Sequence, residues 1–329
     1  MERDVSPRSA ARRLLAGVAA SAALVLLTGC QSSTAGHGTA EGAGPPAATS
    51  SGASGSESNS TSGGAPGPTV ELHRTAWYGG FQVNIESGAI VKDKDTGKPQ
   101  VQLTTTFVND GDDLARFDYS SLDLASGGNH YQAGFDLEGI PDVPGKASGH
   151  GRLSFDVDEK FTFADAVLTL GSSDYQQAVL PLGGSGEAKP NKPVTVPLTG
   201  ATTSDQIRAQ ITGGEIRADL PRRHRQSRAG SVSLKIVVNV TAVRTGAGGY
   251  PLSQNNFALS LPDGSQVAPD DQDKMITLLS LNETLTGGIL WFTIPAPAGG
   301  RYLLLVTDDF RAGKPRLTTA INVIIPKQT

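Results

Sequence analysis

The sequence predicts an all-β chain, two tandem antiparallel β-sandwiches behind a disordered N-terminal tail. Three observations predict it. Apolar residues beyond Pro68 recur with a period of two, turn-forming clusters punctuate them at short intervals, and no segment there sustains a helical stripe. Composition agrees, with 40 Gly, 20 Pro and 18% charged residues in 329. That excludes a long coiled coil, and a single cysteine excludes an intrachain disulfide scaffold. A net charge of −4 gives no electrostatic basis for nucleic-acid binding, so no nucleic-acid partner is expected.

The first element is an address. Arg8, Arg12 and Arg13 precede an uncharged apolar run, Leu14 to Leu27, followed by Thr28, Gly29 and Cys30. This is the layout of a secretory signal peptide covering residues 1–29. As a helix the run extends about 21 Å, short of the roughly 30 Å hydrocarbon layer, so it is not expected to remain as a membrane span. Its removal takes away four basic and two acidic groups, moving the net charge from −4 to −6. An acidic body is weakly repelled by an anionic membrane surface, so adsorption does not hold it there.

Residues 30–67 form the second element. Of the 37 residues from Gln31 to Gly67, 32 are Gly, Ala, Ser, Thr or Pro, and Val, Ile, Leu and aromatic residues are missing. Such a chain cannot bury enough surface to offset its conformational entropy, and is expected to be a disordered linker. Its mean reach is on the order of 35 Å.

The remaining elements are the sandwiches, expected at 68–200 and 201–329. Val232, Leu234, Ile236, Val238 and Val240 alternate with mostly polar partners, as do Val101, Leu103, Thr105 and Phe107. Asp95-Thr96-Gly97, Asn109-Asp110-Gly111, Ser126-Gly127-Gly128-Asn129 and Pro262-Asp263-Gly264 supply the turns. The halves also correspond in order. Ile85, Gly88 and Ile90 match Ile211, Gly214 and Ile216; Leu122 and Leu124 match Phe257 and Leu259; Gly151, Leu153 and Phe155 match Gly288, Leu290 and Phe292. The offsets grow along the chain, as they do when a duplicated unit gathers length differences in its loops; convergence of two similar sandwiches is the alternative.

Two resemblances refine these expectations. Leu27-Thr28-Gly29-Cys30 resembles a bacterial lipobox. That resemblance implies cleavage before Cys30, a diacylglycerol thioether on its sulfur and a further acyl chain of the palmitate type, anchoring the protein through membrane lipid to the outer, extracytoplasmic face of the cytoplasmic membrane. An incidental cysteine after an ordinary signal peptide is the alternative. Arg12-Arg13 before Leu14-Leu15 also loosely resembles a twin-arginine export signal, so the export route stays open. Val101 to Asn109, Phe117 to Leu124, Gly145 to Val157, Phe257 to Gly264 and Gly288 to Pro295 together resemble the immunoglobulin-like domains of secreted lipoproteins of Gram-positive bacteria. That family implies a fold but no common activity.

Chemistry is sparse. There is no Gly-x-Ser-x-Gly elbow, no His-Glu-x-x-His, and the three Gly-Lys pairs lack the following Ser or Thr of a phosphate loop. His130 and His150 could meet across a loop, and Asp270, Asp271 and Asp273 come nearest to a calcium loop, but solvated side chains account for both, so no metal and no cofactor is expected. Two surfaces stand out. Arg222, Arg223, Arg225 and Arg228, with His224 and Arg217, fill the connection between strands ending near Leu220 and beginning near Val232, a candidate anion-contact loop. Trp291 lies between inward-pointing Leu290 and Phe292, so alternation turns it outward as a candidate exposed aromatic contact or against the other domain. Trp77, Tyr78 and Phe81 cluster around Gly79-Gly80 as a further aromatic group. The expected function is a non-enzymatic, lipid-anchored binding or interaction module with a cell-wall polymer or a protein as partner. A lipid-anchored enzyme or solute-binding protein, and a structural spacer without a ligand, are the alternatives.

Overall fold

The computed structural model describes residues 69–134, 139–184, 186–270, 275–308 and 317–326. The signal peptide, Leu27, Thr28, Gly29, Cys30 and the linker lie outside the described residues, as do Asp271 and Asp273. Among the described residues there is no α-helix, and none is long and apolar enough to cross a membrane. The chain is all-β, as its period of two predicts.

The first sandwich comprises β1 (Val70–Tyr78), β2 (Phe81–Lys92), β3 (Pro99–Asn109), β4 (Ala115–Arg116), β5 (Leu122–Ser126), β6 (Asn129–Gln132), β7 (Asp142–Val143), β8 (Ser148–Asp156), β9 (Val167–Leu170) and β10 (Ala178–Pro181). The second comprises β11 (Val194–Val196), β12 (Gly200–Thr203), β13 (Ile207–Arg217), β14 (Asp219–Leu220), β15 (Arg225–Gln226), β16 (Ser231–Ala242), β17 (Tyr250–Ser253), β18 (Phe257–Ser260), β19 (Gln266–Val267), β20 (Ile276–Leu279), β21 (Thr284–Pro295), β22 (Gly300–Asp308) and β23 (Leu317–Ile325). Val194–Val196 pairs with Ile216–Gly214, and Leu198 packs in the second core, so these residues belong to the second sandwich although they precede position 201.

Both sandwiches use one topology. Sheet β1-β2-β3-β8 faces sheet β10-β9-β5-β6 across a core of Val83, Leu103, Leu124, Phe155 and Leu168. In the second, β11-β13-β16-β21 faces β19-β18-β22-β23 across Ile211, Ile236, Leu259, Phe292 and Leu304. With β3 and β16 as strand B, each reads A-B-E on one sheet and G-F-C on the other, the pairing of the immunoglobulin fold. Equivalence extends to single residues. The ladder between β2 and β3 shifts register between Ile85 and Ser87, and that between β13 and β16 shifts between Ile211 and Gly213. Ile85 and Ile211 are the very pair that the sequence alignment of the halves matches. Likewise Gly151 faces Thr105 and Gly288 faces Val238, in corresponding rows.

A candidate site where the sandwiches meet

The turn between β1 and β2 is Gly79-Gly80, with φ of +58° and +82°, a left-handed pair that suits a two-residue hairpin. A Cβ on Gly80 would lie 2.7 Å from the Pro221 carbonyl oxygen. The turn must therefore be bare, because a segment of the second sandwich lies directly on it.

That segment is the connection from β13 to β16, residues 218–230. Its β14 and β15 pair with each other, Asp219 opposite Gln226 and Leu220 opposite Arg225. A 3-10 turn, Pro221–Arg223, and a left-handed His224 join them. Folded in this way, the connection is a strap rather than a free hairpin tip. Its polar groups satisfy backbone donors of the first sandwich: the Gly79 amide donates to Gln226 Oε1 at 2.9 Å and the Gly80 amide to Asp219 Oδ2 at 2.8 Å. Gln226 Nε2 donates to the Gln176 carbonyl at 2.6 Å, while the amides of Gln176 and Ala229 donate to the carbonyls of Ser227 and Asp174.

The arginines take fixed places. Arg217, 8% exposed, donates through Nε to Asp219 and through Nη2 to Asp110 of the first sandwich, each at 2.7 Å, and through Nη1 to Glu215. Burial opposes its charge, but Asp219 and Asp110 outweigh that and hold its pKa above the ordinary value. Arg222 pairs with Asp112, and Arg223 and Arg225 reach Asp270 at 3.5 and 3.3 Å. Burial opposes ionisation of Asp112, yet Lys146 and Arg222 together keep its pKa below the usual range. Arg228 is exposed, and its backbone bridges to Tyr175. The arginine-rich loop therefore spends most of its charge on carboxylates of the same chain, two of them in the other sandwich. In the loop expected to contact anions, Arg222, Arg223 and Arg225 thus pair with carboxylates of the same chain: Asp110, Asp112 and Asp270 come from distant turns, and their convergence on the arginines is a tertiary fact.

Trp291 also departs from expectation. It is 5% exposed and makes no exposed aromatic contact. The residue does leave the core face, as alternation requires, but Lys235 directly opposite on β16 places its ammonium 5.8 Å from the ring centroid. The Asp270 amide donates to the Trp291 carbonyl at 2.7 Å, so the Asp270 segment runs alongside. His130 and His150 each have their own partner, Asp123 and Thr106. No group of three metal-ligating side chains occurs among the described residues.

Where strap and first sandwich meet lies a cleft of about 310 Å³. Tyr78, Phe81, Phe117 and Tyr175 supply its aromatic surface; Arg116, Asp118 and Arg225 supply its charges. Phe81 and Phe117 meet edge to face at 5.7 Å, and the His224 ring packs 5.4 Å from Phe81. Arg116 is fixed by a two-pronged pair with Asp142, both bonds at 2.9 Å. Burial first, then Asp118 and Tyr175, raises the pKa of Tyr78, so its phenol stays neutral. His224 is held as the neutral ring: burial lowers its pKa, against a weaker upward pull from the Gly79 backbone, Asp113 and Asp219. Both its ring nitrogens are buried, and neither makes a hydrogen bond of good geometry. A Cβ on Gly111 would approach the ring within 2.7 Å, so that glycine too is part of the fit. The sequence marks Tyr78, Phe81 and the strap, but Arg116, Asp118 and Tyr175 carry no local signal that would join them to the cleft.

No family model matches the chain, and no curated protein matches it. Among solved structures, one described as a conserved domain protein from Bacillus anthracis is similar at 11% identity and a TM-score of 0.24, covering 78% of this chain and 91% of its own.

Proposed function

We propose that the protein is a non-enzymatic binding module of immunoglobulin-like domains, held on the extracytoplasmic face of a cytoplasmic membrane through lipid on Cys30, with the cleft at the meeting of its sandwiches receiving a small ligand or a partner's side chain. The state of the cleft's ionisable groups carries the binding reading. His224, the one group there with an ordinary pKa near neutrality, encloses both nitrogens against the glycine turns, and Arg116 and Arg225 are tied to Asp142 and Asp270. Aromatic walls with a few polar groups in a volume of this size suit binding. The lipobox resemblance of Leu27 to Cys30 supports the anchor.

Two measurements test this reading. Mass spectrometry of the full chain purified from its producing cells should find an N-terminal fragment that begins at acylated Cys30, and Cys30→Ser should release the protein from the membrane pellet; an unacylated start elsewhere removes the anchor. Pull-down of solubilised wall and membrane fractions with the full chain should recover a binder that Tyr175→Ala loses, and equal recovery by both removes the cleft.

A further inference from the structure

The outward face of sheet β1-β2-β3-β8 is rich in amides and hydroxyls, with Ala89, Val91 and Val108 set among them. One row crosses all four strands, Thr75 opposite Asn84, Asn84 opposite Thr106, and Thr106 opposite His150. With neighbouring strands about 4.8 Å apart, it spans roughly 14 Å. The side chains hold one another. Thr75 Oγ1 and Gln82 Nε2 both donate to Asn84 Oδ1, at 3.0 and 2.9 Å, and Thr106 bonds to Glu86 and His150. Two rows further along, Gln102 Nε2 donates to Gln100 at 2.9 Å, and Gln102 accepts from Arg152 at 3.2 Å. At one end, opposite Gln82, stands half-buried Trp77.

We propose that this face binds an extended, uncharged glycan chain. Each amide offers two donors and an acceptor oxygen, the inventory that vicinal sugar hydroxyls complement, and the mutual bonds consume only part of it. Because the side chains already restrain one another, little rotamer freedom is lost when a ligand settles on them. Trp77 supplies a flat apolar surface for the C–H face of a sugar ring. Charge chooses among partners. The face carries Glu86, which accepts from Thr106, Asp156, which accepts from Gln100, and Arg152, which donates to Gln102, so charges of both signs lie on it and leave no strong field for a polyanion. A protein partner would want aromatic anchors at the centre, where this face has amides. Neither the lipid anchor nor the cleft takes part in this binding.

The test is affinity electrophoresis of the full chain in detergent through gels containing mannan, a soluble β-glucan, galactomannan or arabinogalactan, with teichoic acid as the charged arm. At least one uncharged glycan should retard the protein, equally in low and high salt because exposed charges are not the source of affinity. The double variant Asn84→Ala/Gln102→Ala should weaken retardation about tenfold or more, while Arg222→Ser/Arg223→Ser, on the strap and outside the cleft, binds as the parent. The chain has two tryptophans, and Trp291 is buried, so in Trp291→Phe the emission reports Trp77 and should shift on adding the retarding glycan. Retardation by none of the four glycans, retardation by teichoic acid alone, or full affinity in a double variant whose melting curve is normal would each overturn the proposal.

Discussion

The two sandwiches share strand order, a register shift at the same place and matching core positions, yet their connections between equivalent strands differ. In the first, β2 turns into β3 through six residues, 93–98, closed by the Asp93 carboxylate accepting from the Thr96 amide and hydroxyl. In the second, β13 reaches β16 through residues 218–230, long enough to form its own two-stranded ladder and to lie on the neighbouring Gly79-Gly80 turn. Their outward faces differ as well. Positions filled by Gln102, Thr104 and Arg152 in the first sheet correspond by register to Lys235, Val237 and Ile289 in the second, close to buried Trp291. Loop length is cheap for a sandwich and surface residues are free to vary, so one topology supports both a body that offers a face and a body that reaches across to its neighbour.

The largest expected effect breaks the strap. Arg217→Met leaves Asp219 buried without its partner and removes the link to Asp110, a loss of about 3–5 kcal/mol. Calorimetry should resolve one transition in the parent and two in the variant, and a single unshifted transition in the variant would show that the sandwiches do not depend on the strap. Next is Gly80→Ala, which combines a left-handed backbone with a 2.7 Å approach to Pro221 and should cost roughly 1–3 kcal/mol. Gly97→Ala, at φ +66° in the short equivalent connection with nothing within 4 Å, should cost only its backbone strain, about 1 kcal/mol. If chemical denaturation ranks the two glycines equally, close approach is not what demands Gly80.

A pH dependence sharpens the same contrast. The strap holds His224 neutral, so above its ordinary value of 6.5 folding takes no proton from the ring and stability is complete. As pH falls below 6.5 the unfolded chain gains a proton that the folded strap resists, so stability should decline until the lowered folded value is passed. His224→Asn, a residue that accepts the left-handed conformation, should flatten this slope in denaturation midpoints measured between pH 7.5 and 5.5. Equal slopes in parent and variant would assign the dependence elsewhere. The smallest effect belongs to the exposed pair of Arg116 and Asp142, where Arg116→Ala should change stability by no more than about 1 kcal/mol.

Much of the fold is legible in the sequence. Alternation along Val232 to Val240 marks β16 and its core face, because a strand's side chains alternate whatever lies around it. Matching glycines and apolar residues in the halves mark equivalent rows for the same reason. Trp291 marks the limit: its periodicity states correctly that it leaves the core face, but not that Lys235 and the Asp270 segment cover it.

What the sequence determined by itself is therefore local and periodic: two sandwiches, their strand faces, their turns, and an N-terminal segment of a different composition. What only the tertiary structure decided is which distant groups meet. Arg217 with Asp110, Arg222 with Asp112, and Arg116, Tyr175 and His224 around one cleft are separated by many tens of residues. Charge and aromaticity are properties of a residue, but a salt bridge or a cleft is a property of distance, and distance between remote segments is set only when the chain closes on itself.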